Sequence, residues 1–115
     1  MKQEEQRGDA PMSCYSDWKE HVTFNDGGPS PTALMDTDRL KVVLVGVKAG
    51  LMLPHHPTNE AVYHFLSGTG TMTVGDATYH VGPGTTVVVE PDVHRGINAE
   101  TDIVFLGIRA MKPGD

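Results

Sequence analysis

Short runs of apolar and β-branched residues, each closed by glycine or proline, set the rhythm of this chain. The clearest are residues 40–47 (LKVVLVGV), 61–66 (AVYHFL), 71–74 (TMTV), 77–81 (ATYHV), 85–90 (TTVVVE) and 102–108 (DIVFLGI). Val, Ile, Thr, Tyr and Phe fit a pleated, half-buried surface. Breaks fall at GGPSP (27–31), Gly50, Gly68, Gly70, Gly75, GPG (82–84), Pro91 and Gly96. Runs recurring about every ten residues with turn residues between them predict an all-β sandwich or barrel. Gly75 and Asp76 sit at the centre of a predicted hairpin turn. The one helical candidate, residues 16–20, is short. Within 60–66, Ala61, Tyr63 and Phe65 share one face of a strand, and Glu60, Val62, His64 and Leu66 the other. The first set is the more apolar and is predicted to face the core, with Glu60 and His64 outside.

Length adds one domain and little room for a second: the chain has 115 residues. Residues 1–13, polar and charged, read as a flexible N-terminal tail, and residues 14–115 as a single β-barrel domain. A formal net charge of −6 with no basic face argues against nucleic acid and against an anionic membrane as partners. No apolar run is long enough to span a bilayer. The opening MKQEEQRGDAPMS lacks the apolar segment of a signal peptide, so a cytoplasmic location is expected. A single cysteine, Cys14, excludes an internal disulfide.

Chemistry concentrates in LPHHPTNEAVYHFLSG, residues 53–68, which carries His55, His56, His64 and Glu60. Adjacent residues on a regular strand point to opposite faces, so His55 and His56 compete for one interior position. Pro57 makes a local irregularity, and a bulge at residues 57–59 would switch faces and bring Glu60 inward. Met52, Tyr63 and Phe65 are candidate pocket lining, and Arg95 and Arg109 candidate contacts for an anionic substrate.

The segment HPTNEAVYHFLSGTGTMTVGDATYHVGPGT resembles the first motif of the cupin superfamily together with the turn and strand that follow it. GTTVVVEPDVHRGIN, residues 84–98, resembles the second motif, and DIVFLGIRA stands where such chains close their barrel. The resemblance implies a double-stranded β-helix of the jelly-roll type, a homodimer, and a small-molecule ligand bound inside the barrel, commonly over a divalent metal. The first motif reads Gly, five residues, His, any, His, three or four residues, Glu, six residues, Gly. The second reads Gly, five residues, Pro, any, Gly, two residues, His, three residues, Asn. Counted back from Gly68, the Glu position becomes Ala61, the second His position Pro57 and the first His55. Counted from Gly50 only His56 lands on a ligand position, and a one-residue slip pairs His56 with Glu60. HRGIN keeps His, three residues, Asn, so His94 is the expected second-motif ligand, one residue short of the family spacing from Gly84.

The resemblance therefore implies a metal held by His55 and His94, with His56 or Glu60 completing a partial set. Histidine and carboxylate with open positions suit Fe, Mn, Ni or Zn and dioxygenase, isomerase or lyase chemistry. The alternative is a metal-free binding or sensing module with a degenerate metal site. A third reading is a structural dimer with no ligand. Alanine and proline at two ligand positions keep these alternatives open.

Overall fold

The computed structural model describes residues 13–111; the expected tail lies almost wholly outside them. Nine strands follow a single 3-10 turn. They are β1 (Ser30–Asp36), β2 (Leu40–Val47), β3 (Met52–His56), β4 (Ala61–Ser67), β5 (Gly70–Val74), β6 (Ala77–Val81), β7 (Thr86–Val89), β8 (Arg95–Ala99) and β9 (Ile103–Ala110). All pairings are antiparallel, in a five-stranded sheet ordered β1-β2-β9-β4-β7 and a four-stranded sheet ordered β3-β8-β5-β6. This is the all-β architecture that the pattern predicts, in the double-sheet jelly-roll form that the resemblance implies. All six runs are strands, and the hairpin turn falls at Gly75 and Asp76, between the paired Val74 and Ala77.

The core is the space between the sheets. The larger sheet contributes Val45, Val47, Phe65, Val87, Val89, Ile103 and Phe105, and the smaller Met72, Val81, Ile97 and Ala99. Phe65, Val47 and Ile103 are fully buried, so the odd-numbered face of β4 turns inward as its alternation predicts. Gly68 closes the β4–β5 turn at φ 85°, where a Cβ would run into the Asp102 carbonyl. Glycine accepts that conformation and that approach without cost.

Residues 18–25 lie over the outer face of the larger sheet. Asp17 caps the turn Trp18–Glu20 by accepting from the Lys19 N–H. The His21 carbonyl accepts from the Thr32 hydroxyl, and a Cβ at Gly46 would meet the Thr23 carbonyl and the Phe24 ring. This segment therefore packs on its own sheet. Beyond it an apolar row crosses all five strands in register, exposed at Met35 and Val88 and half-buried at Val42, Ile108 and Val62 between them. Among the described residues no helix is long and apolar enough to cross a membrane.

Candidate functional site

Two loops join the sheets at one end of the barrel: residues 57–60 between β3 and β4, and residues 90–94 between β7 and β8. Arg95 binds them together. It is 2% exposed, and its guanidinium donates to the carbonyls of Val93, Asn59, Thr58 and Glu90 at 2.9–3.2 Å. The Asp92 N–H adds a bond to the Thr58 carbonyl at 2.8 Å. A buried charge is tolerable only with such saturation. Arg95 thus directs its hydrogen bonds at backbone carbonyls, which gives this candidate anion contact a structural use.

Backbone conformation fixes the motif register. Gly84 and Asp92 both occupy the left-handed region, at φ 89° and 67°. Asp92 therefore fills the second-motif turn-glycine position, and the family spacing then puts the histidine position at Arg95, with Ala99 at the Asn position. The buried residue that enters the barrel there is Arg95; His94 is exposed, and its carbonyl accepts from the Gly75 N–H at 2.8 Å. HRGIN misdirects because its internal spacing is intact while its placement is one residue early.

The irregularity in β3 also falls earlier than expected. Leu53 faces Ile97, yet His56 faces Arg95, so an extra residue enters between Leu53 and His56. Across the ladder it is therefore His56, and not His55, that stands opposite Arg95. The side chains of His55 and His56 lie outside the described residues. Residues 57–60 form the crossing loop, with no strand to bulge. Glu60 is exposed and does not turn inward, while its neighbour Asn59 is buried and donates to the Ala110 carbonyl at 2.7 Å. Ala61, at the family's Glu position, is buried and lines the barrel cavity. His64 points outward and pairs through Nδ1 with the Thr86 hydroxyl at 2.7 Å. Among the described residues no three His, Cys, Asp or Glu side chains gather. Ala61 and Arg95 at two donor positions do not fit a divalent cation, because one offers no lone pair and the other a buried positive charge.

The barrel instead holds an apolar cavity of about 260 Å³. Tyr63 and Phe105 form one wall, their ring centroids 5.6 Å apart, with Val43, Val45 and Leu53 around them. Tyr63 is thus the expected lining residue that the structure places in the cavity. Phe65 lies in the closed core and Met52 is 60% exposed on the outside. At the mouth stand Lys41 and Arg109, directly paired between β2 and β9. Lys41 escaped the sequence reading, although it shares odd parity with Val43 and Val45.

The Cupin domain family matches residues 42–108. Among solved structures, the chain is similar to an RmlC-like cupin from Desulfovibrio desulfuricans (28% identity, 86% of this chain and 96% of that one, TM-score 0.75). It is also similar to a cupin superfamily protein from Desulfitobacterium hafniense (16%, 89% and 94%, TM-score 0.79). A third likeness is to a conserved protein of unknown function from Streptococcus pyogenes (18%, 90% and 91%, TM-score 0.79). No curated protein matches the chain.

Proposed function

The chain belongs to the cupin family, and on that premise we propose that it binds a small organic ligand inside its barrel without a metal ion. The observation that carries this reading is Arg95. A guanidinium 2% exposed stands where the family spacing puts a histidine ligand. Its charge repels a divalent cation, and Ala61 across the barrel supplies no donor. The cavity that remains has the concave, largely apolar character of a small-molecule site, though its volume lies just under the usual range of about 300–1,000 Å³. A homodimer is part of the same proposal, through the apolar row of the larger sheet.

The metal question has a direct test. Protein purified without an affinity tag should carry no stoichiometric Fe, Mn, Ni or Zn by elemental analysis. Adding each metal after chelation should leave the melting temperature unchanged, since a ligand that binds only the folded state would raise it. One tightly held metal per chain would overturn the reading.

A further inference from the structure

Resting on the metal-free reading, we propose that the ligand is a small organic acid with an apolar or aromatic body, its carboxylate held between Lys41 and Arg109. The two cations face each other directly across the β2–β9 ladder, and Ala61 on β4 faces Arg109 from the other side. Like charges placed opposite each other in a sheet are destabilising. Lys41 has partial relief from Asp36, at 4.0 Å. Arg109 has none: among the described residues no carboxylate lies within ion-pair distance of it. Among the described residues the lining contains no acidic side chain. An anion entering the mouth would neutralise the pair and accept charge-assisted hydrogen bonds from a planar, forked donor suited to carboxylates.

The rest of the ligand follows from the walls. Val43, Val45, Leu53, Tyr63 and Phe105 line the cavity behind the cations. Gly107 lies between Val43 and Tyr63 in the register and contributes no side chain, which leaves the floor open. Among the described residues, Thr58 and Tyr63 supply the lining's neutral side-chain hydroxyls, fewer than a sugar would engage. The site matches one anionic end and a compact apolar body.

Benzoate and 3-methylbutanoate, with benzamide and 3-methylbutanamide as uncharged counterparts, serve as probes of chelator-treated protein by calorimetric titration and by backbone amide shifts. Both acids should bind saturably and shift the amides of Val43, Tyr63 and Phe105, with the amides binding about tenfold or more weakly, the loss expected for a charge-assisted hydrogen bond. Arg109→Gln should erase the acid's advantage, and Arg109→Lys should restore part of it. Melting curves confirm that both variants fold. Amides that bind as well as the acids overturn the proposal while leaving the metal-free reading intact. No acid binding, equal binding of inorganic phosphate, or indifference to Arg109→Gln also overturns it. Acid binding that appears only after Mn²⁺ or Zn²⁺ is added overturns the metal-free reading as well.

Discussion

At Arg95, one side chain answers both a structural and a functional question. It serves four backbone carbonyls from within the barrel. Lysine would keep the charge but not the planar fork, so Arg95→Lys should cost about 2 kcal/mol and Arg95→Met about 3 kcal/mol or more in urea unfolding. A change below about 0.5 kcal/mol for both, the range of ordinary surface substitutions, would show that the bonds are dispensable. The sequence also shows why this residue was hard to read. Histidine draws attention as a ligand, and His94 keeps its spacing to Asn98. Asp92 stands where the second motif has its turn glycine, and its positive φ shows that it keeps the glycine's conformation.

Among the elements, the strands with clear alternation or an unbroken apolar run were legible, and the others were not. The run LKVVLVGV is β2 to the residue. β1 was missed because Pro31 interrupts it; the strand survives because it lies at the sheet edge, where a missing N–H costs no ladder bond. β3 was read only as motif, and its parity could not be counted because the extra residue between Leu53 and His56 leaves no mark in composition. Bulges reverse the face of everything beyond them, so alternation locates interior residues only within an uninterrupted strand. The β4–β5 turn is the opposite case, fixed by one residue. Alanine at position 68 faces a left-handed backbone and the Asp102 carbonyl. Gly68→Ala should therefore destabilise by about 2 kcal/mol or more, read from the denaturation midpoint. A midpoint equal to that of the parent protein would show that the turn relaxes freely.

For the whole molecule, the two sheets divide the work. Their facing sides make the core and the cavity, and the outer side of the larger sheet carries the row from Met35 to Val88. Val88 is 70% exposed at one end of this row and Met35 43% at the other. The proposed second copy would cover this row, since isolated apolar residues are common on surfaces but aligned patches mark interfaces. Val88→Lys should convert a dimer to a monomer in sedimentation equilibrium without lowering the monomer's helix-poor circular dichroism signal. A parent protein that sediments as a monomer at all concentrations excludes the dimer. The Arg95 knot has a consequence for motion. The 57–60 and 90–94 loops are fastened to each other as well as to the barrel, so neither opens alone. Their amides should exchange with solvent as one cooperative unit, and the hinge of any breathing must lie elsewhere. On the proposed function, a ligand would pass the cation-lined mouth, and its arrival should slow as added salt screens Lys41 and Arg109.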